Sequence, residues 1–317
     1  MSSKPHLPPY ASEQVAQGHD SQQGTWRQLD APPGPWSKVA FSSATSGIIV
    51  GSGGRAATTI DGGSSWTVRD SGKGVQLRGV SAIDGHAWAV GDDGVIVTTA
   101  NGGETFTQLS SIPALQLEGV SFVDTMTGWV VGENGTILAT RDGVTFTSQH
   151  NPDPALFDLI DVVFVNNATG YAVGTAGTIL KTTNGGDDWT LQQQFLTTAQ
   201  LFAAAFADEK TGTAVGRDGT ILSTRDGGHT WTTPTPPPTR SAILLGVSFT
   251  DTMTGWVVGS EDTILATTDG GLTWQHQLDP AGSPATENLS GVAFPDANTG
   301  YAVGGNVIKY SRSSSSF

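Results

Sequence analysis

The 317-residue chain predicts an all-β fold: a seven-bladed β-propeller with four antiparallel strands per blade, its ring closed by an N-terminal strand that completes the last blade. Three observations lead there. The dipeptide Val-Gly recurs at Val50-Gly51, Val90-Gly91, Val131-Gly132, Val173-Gly174, Val215-Gly216, Val258-Gly259 and Val303-Gly304, in steps of 40, 41, 42, 42, 43 and 45 residues. Each interval holds four short strand-like segments and leaves no room for a helix. The composition agrees, with 42 Gly, 37% hydrophobic residues and only 14% charged ones. That is the make-up of short strands joined by tight turns around a real core, neither a helical bundle nor a disordered chain.

Every unit opens on an apolar run that suits an innermost strand. The seven runs are WSKVAF (Trp36–Phe41), LRGVSA (Leu77–Ala82), LEGVSF (Leu117–Phe122), LIDVVF (Leu159–Phe164), LFAAAF (Leu201–Phe206), LLGVSF (Leu244–Phe249) and LSGVAF (Leu289–Phe294). A polar turn and a second strand follow, as in TGWVVG (Thr127–Gly132) and TGYAVG (Thr169–Gly174). After a short Gly- or Asp-containing turn comes a third strand, such as GTILAT (Gly135–Thr140), and the unit ends on a turn with an aromatic fourth segment, such as DGGHTW (Asp226–Trp231). The last unit lacks a fourth strand after Ser311, while Gly24-Thr25-Trp26-Arg27-Gln28-Leu29 reads like one. Pairing the two closes the circle and removes the most exposed sheet edge. The expected organisation is an extended N-terminal arm at 1–23 with Pro8-Pro9-Tyr10, a propeller at 24–311 and a Ser-rich tail at 312–317.

The turn before each fourth strand carries Ser/Thr-x-Asp-x-Gly-x-Thr-Trp or a variant of it. The acidic or amide residue is Asp61, Asn101, Asp142, Asn184, Asp226 or Asp269, and the copy at Asp142 is one residue short. Asp or Asn can bond its own backbone two residues on, Gly supplies positive φ, and the aromatic packs between sheets. A structural role is therefore expected. Calcium or substrate binding by these carboxylates is disfavoured, because they are spread evenly around the ring while a site needs convergence.

The formal charge of −14, with only 15 Lys and Arg, argues against nucleic-acid binding, which needs a basic face. No apolar run approaches the ~18 residues of a membrane span, and Met1–Gly24 lacks the basic-then-apolar pattern of an export signal. There is no cysteine, and the six His show no metal-binding spacing. No nucleophile elbow or phosphate loop precedes a helix. No catalytic residue, cofactor site or metal site is expected.

The Asp-box turns resemble those of BNR-repeat propellers, and the combination TGWVVG with GTILATRDG resembles the photosystem II stability/assembly factor family. The resemblance covers about nine-tenths of the chain. It implies a non-enzymatic scaffold or assembly propeller, binding protein subunits of a larger, membrane-embedded and photosynthetic complex without itself spanning the membrane. It also implies a periplasmic or lumenal, membrane-peripheral location. The basic patch associated with that family is replaced here by dispersed Arg55, Arg78, Arg217 and Arg240. The alternative is an Asp-box glycan-binding or sialidase-like protein. The Arg-Ile-Pro segment of sialidases is missing, and Tyr171 and Tyr301 fall at the strand position that Trp88, Trp129 and Trp256 fill elsewhere, which is core packing.

Function is expected where the repeat is broken. Loops entering the inner strands and turns between second and third strands share one face, opposite the Asp boxes. Arg78 falls there with the acidic Asp92, Asp93, Glu118, Glu133, Asp158, Asp218, Glu261 and Asp262, either a match for a basic partner or a solvated rim. The irregular inserts lie on the same face. Leu156, Phe157 and Phe195 either anchor a partner or tuck under their own loops, and Pro236, Pro237 and Arg240 lie in a stiff Pro-rich segment.

Overall fold

A computed structural model describes residues 24–109, 115–153, 155, 157–192, 197–234, 242–277 and 288–312. They form seven antiparallel sheets in a ring, numbered here as blades 1 to 7 from the sheet that starts at Trp36. Blade 3 is representative, with strands at Leu117–Phe122, Gly128–Gly132, Thr136–Thr140 and Thr147–Ser148 running outward from the axis. Blade 5 departs from it: its outer strand is reduced to a single bridge between Ser223 and Thr232. The expected arm at 1–23 and residues 313–317 of the tail lie outside the described residues.

Ring closure takes the expected form. Thr25–Gln28 pairs antiparallel with Val307–Ser311, in the register Thr25 to Ser311 and Gln28 to Ile308. Trp26 is buried and packs edge-on to Phe294 at 5.8 Å and tilted against Tyr310 at 5.4 Å. The first and last described strands therefore share one sheet and one core.

The inner strands differ from the reading that both their faces are buried. They alternate buried and half-exposed residues, because one face lines the central channel, while the second strand of each blade is buried almost throughout. The repeated Val-Gly belongs to that second strand. Its glycine is extended, so the requirement is for space: a Cβ on Gly132 would collide with the carbonyl of Gln116, and one on Gly174 with that of Asp158. Only glycine lets the second strand pass so close to the start of the inner one.

Neighbouring blades are joined by a repeated pair of rings. The second-strand aromatic of one blade stacks on the inner-strand Phe of the next: Trp88 on Phe122 at 3.6 Å, Trp129 on Phe164 at 3.4 Å and Tyr171 on Phe206 at 3.8 Å. Trp256 stacks on Phe294 at 3.6 Å and Tyr301 on Phe41 at 4.0 Å. Trp88 Nε1 then donates to the Gly143 carbonyl, Trp129 Nε1 to Gly185, Tyr171 Oη to Gly227 and Tyr301 Oη to Gly62. Burial pushes both tyrosine hydroxyls up to about 12, which keeps them protonated donors. Each of these acceptors is the first glycine of the next blade's Asp box.

The boxes are built locally. Thr59 Oγ1 donates to Asp61 and accepts from the Gly63 N–H, while Asp61 accepts from the Ser65 side chain and N–H. Asn101 and Asn184 hold the same turn through Oδ1, accepting the N–H four residues on. The short box differs: Asp142 accepts from the N–H groups of Val144 and Thr145, two and three residues on.

Because Trp26 carries the closure, Trp26→Ala is expected to cost about 3–5 kcal/mol in urea unfolding. Deletion of residues 1–29 is expected to abolish the single cooperative transition. The Asp boxes set an acid dependence. Hydrogen bonds from Ser65 hold Asp61 at about 2, and hydrogen bonds from Thr230 hold Asp226 at about 2, both below the ordinary 3.8. A depressed carboxyl contributes stability above 3.8 and loses it as pH falls towards 2. The double variant Asp61→Asn/Asp226→Asn should fold, as the Asn boxes do, and thermal melts should show a shallower drop than the wild type between about pH 4 and about pH 2.

Candidate partner-docking face

The face opposite the Asp boxes is made of the turns after each second strand and the segments that enter each inner strand. In blades 1 to 5 the turn is a short 3₁₀ element, its middle residue in the left-handed region: Asp93 at φ 57°, Asn134 at 54°, Ala176 at 54° and Asp218 at 58° among them. The short backbone leaves these tips exposed at the rim. Each turn is held to the loop that enters its own inner strand, as in Asp92 N–H to Gln76 O and Glu133 N–H to Gln116 O.

Across blades 2, 3 and 4 the side chains of this face form a continuous arc. Arg78 Nε sits 2.6 Å from Asp92 Oδ1, and its Nη1 lies 3.7 Å from Glu118 Oε1 in the next blade. Gln116 Nε2 donates to Asp92 at 3.1 Å, and the Gln116 N–H donates to Glu133 at 3.0 Å. Asp158 Oδ1 accepts from the Asn134 N–H at 2.9 Å, joining blade 3 to blade 4. Burial pushes the Glu118 carboxyl up, Arg78 opposes this, and Asp92 and Glu133 reinforce it. Asp92, Glu118 and Asp158 are thus partly engaged within the molecule, while Asp93, Asp218 and Glu261 are exposed at turn tips.

Of the hydrophobic candidates, Phe157 stands 42% exposed beside this arc and is not tucked under its loop. The loop before it is held by its own polar groups, with Asp153 buried and accepting from the Ala155 N–H, and Asn151 Nδ2 bonded to Gly135 O. Leu156, Phe195, Pro236, Pro237 and Arg240 lie outside the described residues. The other dispersed arginines sit apart: Arg55 lies over the Trp36 ring at 5.1 Å and Arg217 over Phe202 at 5.9 Å.

The arc borders the central channel, whose cavity is about 130 Å3. At one level of the channel wall five blades present Gly79, Gly119, Ala203, Gly246 and Gly291, while blades 1 and 4 present Lys38 and Asp161. Lys38 Nζ reaches the Leu245 carbonyl at 3.4 Å, and Asp161 Oδ2 accepts from the Ala204 N–H at 3.0 Å. Burial pushes Asp161 up, and Lys38 opposes the shift. These two were missed as candidates although the signal was available: aligning the seven inner strands places a charge where the other five have Gly or Ala. Among the described residues, no group of three His, Asp or Glu could hold a metal, and no helix is long and apolar enough to cross a membrane.

The ring, its closure and its turns define a seven-bladed Asp-box propeller. A family model described as photosynthesis system II assembly factor YCF48 matches residues 19–119, 109–192 and 237–311, and the chain belongs to that family. A structure of YCF48 bound to D1 peptide is 19% identical with a TM-score of 0.75, covering 93% of this chain and 96% of that one. YCF48 from Cyanidioschyzon merolae is 20% identical with a TM-score of 0.74, covering 90% and 98%. A virginiamycin B lyase from Staphylococcus aureus reaches 0.76 at 13% identity, covering 92% and 99%. At such identities the likenesses show the fold alone. No curated protein matches the sequence.

An acid whose folded pKa is raised costs stability once pH exceeds its unfolded value, 3.8 for Asp161. Asp161→Asn keeps an acceptor for the Ala204 N–H and removes the buried charge. It is expected to raise stability at neutral pH and leave it unchanged near pH 3, as measured by urea unfolding at both values.

Proposed function

We propose that this chain is a non-enzymatic assembly factor that holds a polypeptide segment of a membrane-complex subunit on the loop-bearing face of the ring. The observation that carries the reading is membership of the YCF48 family together with the arc from Arg78 to Asp158, where three blades are tied into one polar surface beside exposed Phe157. A YCF48 has been captured with D1 peptide, which supports a protein ligand of the same kind here. An aromatic anchor flanked by polar groups suits an extended peptide. The acidic tips favour a segment with basic residues.

The side chains that could suggest hydrolysis are already committed. The Asp-box carboxylates bond their own turns, and the Tyr171 and Tyr301 hydroxyls donate to box carbonyls. This supports binding without catalysis; a membrane-peripheral role for the ring, and partner contacts through Phe157, Arg78, Glu118 and Asp158, belong to the same proposal.

Affinity capture from detergent-solubilised membranes is expected to recover the protein with integral membrane subunits. Phe157→Ser should weaken that association about tenfold or more. Val144→Ser, which removes an exposed apolar group on the opposite face, should leave it unchanged. Recovery of the protein alone, or equal sensitivity to both substitutions, would refute the proposed face.

A further inference from the structure

The seam between blades 1 and 2 is built differently from the rest. Among the described residues five seams hold a stacked pair of rings, and the seam between blades 5 and 6 has Thr213 at the second-strand position with Phe249 on the inner strand. Among the described residues, only the first seam lacks both of these rings. Ile48 takes the place of the second-strand aromatic and Ala82 that of the inner-strand Phe. The glycine that such a Phe covers, as Phe122 covers Gly128, is here Ala87.

A third change falls at the same spot. The other described Asp boxes have their first glycine roofed by the blade's own first turn. A Cβ on Gly143 would meet the Thr125 carbonyl, one on Gly185 that of Asn167, one on Gly227 that of Glu209 and one on Gly270 that of Thr252. In blade 2 that turn is a tight hairpin through Asp84 and Gly85, and a Cβ on Gly102 would meet nothing within 4 Å. The result is a pocket lined by Ser42, Ser46, Ile48, Ala82, Ala87 and Gly102, among others. Its enclosed part is about 20 Å3, room for about one water, and the remainder opens to solvent. The Gly102 carbonyl corresponds to the carbonyls of Gly62, Gly143, Gly185 and Gly227, which accept from a Trp or Tyr of the preceding blade. Among the described residues no side chain donates to it.

We propose that this seam is a binding seat for one external aromatic ring bearing an N–H or O–H donor, a phenol or indole group. The ring would lie against Ile48 and Ala82, enter through the open mouth, and donate to the Gly102 carbonyl, completing from outside what four other seams complete from within. The seat is on the Asp-box side and is independent of the docking face proposed above.

The probe is p-cresol, titrated in the millimolar range into the full-length, isotope-labelled chain, with amide shifts as the readout. Saturable shifts at Gly85, Ala87 and Gly102 are expected, with toluene binding about fivefold more weakly because it lacks the donor. Ala82→Phe/Ala87→Gly rebuilds the internal ring and should weaken p-cresol binding at least tenfold while raising the melting temperature. Ile48→Trp supplies an indole from the other side of the seam and should block the seat in the same way, so either variant suffices if the other fails to fold. The proposal is overturned if those amides show no saturable shift, if toluene binds as tightly as p-cresol, or if a folded ring-filling variant binds p-cresol unchanged.

Discussion

The structure depends on one contact that recurs at four of the seven described seams: an aromatic of one blade stacked on a Phe of the next and bonded to the carbonyl of that blade's Asp box. A single sheet of short strands cannot bury both of its faces, so a blade has no stability alone. The ring pair supplies the missing apolar surface, and the hydrogen bond fixes the rotation of one blade on the next. Trp129 does both, with Phe164 beneath it and the Gly185 carbonyl at its nitrogen. The Asp box is therefore part of the seam as well as a turn. Its positive-φ glycines and its Asp or Asn hold the carbonyl where the neighbouring ring needs it.

That division of labour leaves the opposite face free. The seam bonds, the box carboxylates and the two buried tyrosines are all committed to architecture. The turns and entry loops on the other side share a backbone but also carry side chains, such as Arg78, Glu118 and Phe157, that differ from blade to blade. The arc from Arg78 through Asp92, Gln116 and Glu133 to Asp158 uses side chains from three blades to make one surface. Recognition by shape and charge, with Phe157 as the proposed anchor, suits such a platform better than chemistry, which would need groups converging on a reacting atom.

Much of the fold was legible because its determinants are local or periodic. Thr59-x-Asp61 closes its own turn, so the motif announces the structure. The Val-Gly step marks each second strand, and the unpaired Thr25–Gln28 strand could be matched to the incomplete last blade. The site was legible only in part. Arg78 and Glu118 were both marked, but their approach across a blade boundary depends on ring geometry that no local pattern encodes. Lys38 and Asp161 were passed over because each looks unremarkable in its own strand and stands out only against the Gly or Ala of the other five.

By itself the sequence determined the number of blades, the strand order within them, the closure by the N-terminal strand and the structural role of the Asp boxes. Each of these follows from short-range backbone preferences or from a repeat that must bury its own faces. The tertiary structure alone decided which face of the inner strand lines the channel, which acids are neutralised by neighbours, and that the first seam opens into a pocket where five others stack two rings. Those outcomes depend on residues some forty positions apart meeting across a seam, where packing and desolvation, not local propensity, set the energy.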